Sequence, residues 1–204
     1  MQRFHFSDEY IIRKERQGIS GRGGEGLEQE QKWVREIVKR GSRKAADALV
    51  RAYYDDIYAF VYRQTGNRED ALDLTQECFL AALRSLPSYD ANKAGLRTWL
   101  YHIASHKVID MKRRRKVQYL PIEEQELADE RDFVEEIHNQ ELLRQAEELV
   151  CRVDPRIQEV FRLRVYGGHS FPEIAAVLAQ PESKVKAQYY RMAAKIRKEL
   201  ENSS

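Results

Sequence analysis

The chain has 204 residues, 42% of them hydrophobic and 33% charged, enough to bury one ordinary core or two small ones. Its formal charge is only +2, which excludes a uniformly basic surface, so any grip on phosphate has to come from local segregation of charge. No apolar run is long enough to span a bilayer and the first residues lack the apolar stretch of a signal peptide, so membrane insertion and export are not expected and a cytoplasmic location is.

Residues 1–28 read as a disordered leader. Gly21-Arg-Gly-Gly-Glu-Gly26 matches the glycine pattern of dinucleotide-binding loops, but that loop needs a buried strand before it and a βαβ unit around it, and neither is present. Strand signals are scarce throughout, while apolar residues recur at spacings of three and four from about Trp33 to Leu200, so the fold is expected to be all-α. Ala45–Arg63 carries Leu49, Tyr53, Ile57, Phe60 and Val61 on one face, with a stop at Gly66. Glu69–Leu86 places Leu72, Thr75, Phe79, Leu83 and Leu86 inward, up to Pro87. Leu96–Lys116 places Leu96, Trp99, Leu100, Ile103, Ala104, Val108 and Met111 inward, and the three helices can close a small bundle.

Three surfaces of this first module carry chemistry. Glu69, Asp70, Asp73, Gln76 and Glu77 form an acidic stripe opposite an apolar face, which is either a solvated helix face or a protein-docking surface. Ser88–Gly95 has turn composition; with Tyr89 on it and Trp99 just behind, it suits the capture of an unstacked base, although Trp99 by itself reads as core. Lys107, Lys112, Arg113, Arg114, Arg115 and Lys116 crowd the end of the same helix. Cations there complement the helix dipole, but so many repel one another, and phosphate is the partner expected to relieve this.

His102, His106 and Asp110 stand at successive i+4 positions, but His102 and Asp110 are about 12 Å apart along a straight helix, too far to share an ion. No metal and no cofactor are expected. Cys78 and Cys151 sit within amphipathic helical patterns and read as reduced core thiols.

From Glu123 to Glu136 the sequence is acidic, answered only by Arg131, and residues 117–136 read as a linker extended by self-repulsion. The second module covers 137–204. In it Ser170 is a candidate N-cap with Glu173 three residues on, Phe171, Ile174, Ala175 and Leu178 make a short inner face, and Ala179-Gln-Pro181 breaks the helix. The next helix turns Val185, Tyr189, Met192, Ile196 and Leu200 inward and leaves Ser183, Lys184, Lys186, Ala187, Gln188 and Arg191 outward near its start. This is the arrangement of a helix-turn-helix recognition helix; a hairpin used only for packing is the alternative.

These residues resemble the sigma-70 family of bacterial transcription initiation factors, in the small extracytoplasmic-function (ECF, group 4) branch that keeps only regions 2 and 4. The likeness runs from about Leu27 to Leu200. It implies two small helical domains, region 2 at 29–116 and a region 4 helix-turn-helix at 137–204, joined by the acidic linker. It also implies that Asp70, Asp73, Leu74, Gln76 and Glu77 dock on the β′ coiled coil of core RNA polymerase, the β subunit being a further contact. Tyr89, Asn92, Lys93, Arg97, Trp99, Lys107, Lys112, Arg113, Arg114 and Arg115 would meet −10 DNA, and Ser183, Lys184, Lys186, Ala187, Gln188 and Arg191 −35 DNA. An anti-sigma factor is a further implied partner. On this reading the protein is not an enzyme. A stand-alone helix-turn-helix regulator and a metal-dependent helical enzyme built on His102 and His106 are the alternatives. Ala179-Gln-Pro181 and Asp154-Pro155 depart from the family's usual turn and Leu-Pro.

Overall fold

The structure, a computed structural model, describes residues 24–114 and 140–202; the expected linker and most of the expected leader lie outside them. Among the described residues there are eight α-helices and no strand: α1 (Gly24–Arg40), α2 (Arg43–Thr65), α3 (Arg68–Ser85), α4 (Leu96–Arg114), α5 (Gln140–Val150), α6 (Pro155–Val165), α7 (Phe171–Leu178) and α8 (Glu182–Asn202), with a 3-10 turn at Leu86–Ser88. Two compact units part within α2, between Asp55 and Asp56.

In the first unit, α1 starts inside the segment expected to be leader. It ends at Gly41, whose positive φ of 61° suits a residue without a Cβ. Ala45, Leu49 and Tyr53 are buried, and the Tyr53 hydroxyl donates a short hydrogen bond to the buried Glu30 carboxylate, which fixes α1 to the start of α2.

The second unit begins with Ile57, Phe60 and Val61, all buried as expected. Gly66 (φ 63°) stops α2, and Asn67 caps α3 by accepting from the N–H groups of Glu69 and Asp70 at 2.9 and 3.1 Å. The inward face of α3 is Ala71, Leu74, Thr75, Cys78, Phe79 and Ala82; Leu72 and Leu83, expected inside, are half-buried. On α4 the buried set is Leu96, Thr98, Leu100, Tyr101, Ala104, Ser105, Val108 and Ile109, while Trp99, Ile103 and Met111 are half-buried. The extra buried residues widen the apolar expectation because α4 is covered on two sides, by α3 and by α6 and α7 from beyond the acidic segment. Cys78 and Cys151 are free, buried thiols, and burial pushes them up to about 12 and about 11.

The C-terminal helices close over Val160, Phe161, Leu163, Ile174, Val185, Tyr189, Met192 and Ile196. Asp154 caps α6 ahead of Pro155, which sits at the first turn where its missing N–H costs nothing. Ser170 and Glu173 form a reciprocal capping box on α7. The helix ends at Ala179, in a left-handed conformation (φ 50°, ψ 45°) that allows the tight turn into α8.

Candidate nucleic-acid interface

The acidic stripe of α3 is a real surface. Asp73, Gln76 and Glu77 are exposed and Asp70 is half-buried, and Asp70, Asp73 and Glu77 together with Lys107, Asp110, Met111 and Arg114 of α4 line a shallow groove of about 150 Å³. Leu74, expected among the docking residues, lies at the floor of that groove with 7% of its surface exposed. The helical phase turns it inward, between two exposed acids. Leu80, two turns further on, is 56% exposed and continues the accessible face as an apolar spot.

The loop from Tyr89 to Gly95 is held from within. The Tyr89 hydroxyl donates to the Ala94 carbonyl at 3.0 Å, its ring tilts against Trp99 at 5.1 Å between centroids, and Asp90 Oδ1 accepts from the Asn92 backbone and side chain at 3.0 and 3.1 Å. Trp99 thus braces the loop from the helix beneath it, and Asn92 and Lys93 are left exposed at the tip.

The cations of α4 have partners that sequence reasoning did not assign. Lys107 pairs with Glu77 at 3.1 Å, Arg113 with Asp110 at 3.0 Å, and Lys112 reaches Glu147 of α5 at 3.3 Å. Carboxylates therefore relieve much of the repulsion for which phosphate was expected. Arg114 is exposed; Arg115 and Lys116 lie outside the described residues.

Arg97 is occupied in the same way. Its guanidinium donates to the Gly167 carbonyl at 3.2 Å and the Tyr101 hydroxyl at 3.3 Å and lies 3.3 Å from Nδ1 of the fully buried His169. Thr98 Oγ1 is also 3.3 Å from that nitrogen, and the His169 ring meets Tyr101 edge-on. Burial and the Arg97 charge outweigh Glu173 and hold His169 below its ordinary range, so the ring is neutral and able to accept. His169 and Ser170 in turn hold the Glu173 carboxyl down to about 2. A residue expected to touch −10 DNA thus pins α4 to the turn that leads into the helix-turn-helix.

Two further ion clusters join α4 to the C-terminal helices. Glu147 meets Arg162 and Lys112, and Glu159 of α6 meets both His102 and His106, Oε1 lying 3.0 and 2.9 Å from their Nε2 atoms. Glu147, Arg162 and Glu159 were missed at the sequence level. The available signal was two charges, Glu159 and Arg162, set in the apolar run around Val160, Phe161 and Leu163.

On α8, Ser183, Lys184 and Lys186 are exposed and Ala187, Gln188 and Arg191 half-buried, so the expected outward set does share one side of the helix. Lys186 pairs with Glu182 at 2.7 Å and lies 5.9 Å from the Phe171 ring, while the Nε of Arg191 is buried.

Residues 49–117 match the Sigma-70 region 2 family and residues 143–196 the Sigma-70, region 4 family. The chain is 30% identical over 174 residues to the ECF RNA polymerase sigma factor SigW of Bacillus subtilis, covering 80% of this chain and 92% of that one. The chain belongs to the sigma-70 family, in its extracytoplasmic-function branch. The RNA polymerase sigma factor YlaC of the same organism is 32% identical over 168 residues (79% of this chain, 95% of the relative), and the ECF RNA polymerase sigma-E factor of Escherichia coli K12 is 32% identical over 167 (76% and 86%). The sigma factor also shares its fold with CnrH, solved in complex with the cytosolic domain of CnrY: TM-score 0.57, 22% identity, 86% of this chain and 99% of that one. Among the described residues no helix is long and apolar enough to cross a membrane.

Proposed function

We propose that this sigma factor docks on core RNA polymerase through the polar face of α3, Asp70, Asp73, Gln76 and Glu77, and directs initiation at promoters it reads at two places. The observation that carries the reading is the order of parts: a groove-forming acidic face, a braced loop with Asn92 and Lys93 at its tip, then a helix-turn-helix with Ser183, Lys184 and Lys186 exposed at the start of its second helix. A stand-alone regulator has no use for the first of these. The loop would hold an unstacked −10 base and α8 would enter the −35 major groove, so the chain acts by binding rather than catalysis, within the cytoplasm.

In this arrangement Arg97 is engaged by the turn between α6 and α7 and Lys112 by Glu147 of α5, so a promoter contact through these residues entails parting α4 from the C-terminal helices; Lys107 pairs with Glu77 of α3. A regulatory partner that favours the packed arrangement fits this requirement, and we assign that role to an anti-sigma protein; CnrH, of like fold, is seen with the cytosolic domain of CnrY. The test is reconstitution of the full chain with bacterial core RNA polymerase on a genomic DNA library. Comigration and discrete transcript starts are expected; DNA binding without polymerase association would overturn the reading.

A further inference from the structure

His102 and His106 stand one helical turn apart on α4, their rings 4.5 Å apart between centroids, and the buried Glu159 of α6 brings a single carboxylate oxygen to within 3.0 and 2.9 Å of their Nε2 atoms. The coordinating atoms of all three residues lie within 4.8 Å of one another. That oxygen is buried, and the two imidazoles are its close partners. Three donors thus converge on a common region.

We propose that His102, His106 and Glu159 form a site for one zinc ion, which ties α4 to α6. An i, i+4 histidine pair is the spacing that lets two imidazoles share an ion, and two imidazoles with one carboxylate are a donor set that suits zinc rather than calcium or magnesium. Ligands about 2.0–2.2 Å from a tetrahedral ion are roughly 3.4 Å from one another, so the Glu159 oxygen has to move a few tenths of an ångström away from each imidazole nitrogen, and the three ligand atoms, now within 4.8 Å of one another, have to draw in to that common spacing. The His106 side chain is 57% exposed against 24% for His102 and 9% for Glu159, so the fourth position opens on solvent, where a water completes the shell and the ion enters. Asp110 adds negative charge one turn further on, shared with Arg113 at 3.0 Å.

The third donor differs from the one the sequence offered. Asp110 lies too far along α4, whereas Glu159 arrives from a helix 53 positions beyond His106, so the site exists only while α4 and α6 are packed together. A metal that needs both helices stabilises the packed arrangement by mass action. Resting on the promoter reading above, zinc is therefore an inhibitor of initiation.

Binding of zinc chloride to the untagged full chain, followed by competition with a chromophoric chelator, tests the site without reference to transcription. One equivalent is expected, with a rise in Tm, and affinity is expected to fall at least about a hundredfold in both Glu159→Gln and His106→Gln. Circular dichroism confirms that each variant is folded. No stoichiometric binding, or binding unchanged in both variants, overturns the site and leaves a plain His–Glu ion cluster. With core polymerase, zinc should lower transcript yield for the natural chain but not for Glu159→Gln. An equal effect on both overturns the regulatory half alone, while transcripts absent from every sample count against the promoter reading and leave the zinc result standing.

Discussion

Arg162 and Glu147 form a two-pronged ion pair inside the protein, with Nη1 3.0 Å from Oε2 and Nη2 2.9 Å from Oε1, and the arginine wholly buried. Gln64 at 2.8 Å, Gln158 at 3.3 Å and the Tyr166 hydroxyl at 3.0 Å add to the network, while Arg162 Nε is buried without a hydrogen-bond partner. Lys112 of α4 joins the same carboxylate, so this pair ties α2, α4, α5 and α6 into one network.

Removing one partner of a buried, hydrogen-bonded pair leaves the other charge uncompensated, so Glu147→Gln is expected to lower unfolding stability by about 3–5 kcal/mol at pH 7, measured by urea titration. Burial pushes the Glu147 carboxyl up, but Arg162 and Lys112 hold it below its ordinary 4.5. Its contribution is therefore fully present above that value and lost as pH falls through the folded-state pKa. The stability gap between the natural chain and Glu147→Gln should shrink steadily below pH 4.5, and a gap constant with pH would count against the assignment.

Gly167 and Gly168 are adjacent but are glycine for different reasons. A Cβ on Gly167 would lie 2.7 Å from the Leu163 carbonyl oxygen, 2.8 Å from His169 Cδ2 and 3.1 Å from Tyr101 Cδ1, whereas Gly168 faces open space but has φ 65°. Gly167→Ala should cost about 1–3 kcal/mol through overpacking against backbone that cannot give way. Gly168→Ala should cost about 1 kcal/mol through strain alone. Thermal melts of the two variants check the order, and equal losses would contradict the close approach of Tyr101.

Much of this was legible before the structure. Apolar spacing located α2, α3, α4, α7 and α8 but not α5 or α6 as separate helices, the capping box was readable as a glutamate three positions after Ser170, and the outward set on α8 followed from helical phase. Pairing across helices was not legible, because nothing in the spacing of Lys112, Arg97 or His106 announces Glu147, Gly167 or Glu159 more than thirty residues away. Leu74 was placed on the docking face by resemblance, where phase alone puts it inside with Ala71 and Cys78. The cationic end of α4 was read as awaiting phosphate because the partners of Lys107 and Lys112, Glu77 and Glu147, belong to other helices.

Ala179 holds a left-handed conformation that an L-residue with a Cβ adopts at a cost of about 1–2 kcal/mol, to let Gln180 N–H reach the Ala175 carbonyl at 3.0 Å. Ala179→Gly should raise stability by about 1 kcal/mol, less the extra freedom glycine gains in the unfolded chain. A drop in the urea midpoint would show that the turn is not strained.

Asp73 is exposed in the middle of the α3 groove and makes no contribution to the core. Asp73→Arg should therefore leave the melting curve within about 0.5 kcal/mol of the natural chain while abolishing comigration with core polymerase. Retained comigration would move docking to another surface, of which the exposed Leu80 is the nearest.

Lys186 and Arg191 share the outward side of α8 but differ in reach. Lys186 is exposed, its ammonium 2.7 Å from Glu182, whereas Arg191 is half-buried with its Nε enclosed, so the arginine offers a planar fork from a shielded stem and the lysine a movable point charge. Arg191→Ala is expected to weaken promoter binding by about 1–3 kcal/mol at the natural −35 sequence and little at a scrambled one, as a bidentate base contact requires. Lys186→Ala should weaken binding to both sequences alike and lower the salt dependence by about one phosphate contact. Electrophoretic mobility shifts with the polymerase-bound protein over a salt series separate the two, and sequence-independent loss in Arg191→Ala would reassign it to the phosphate backbone.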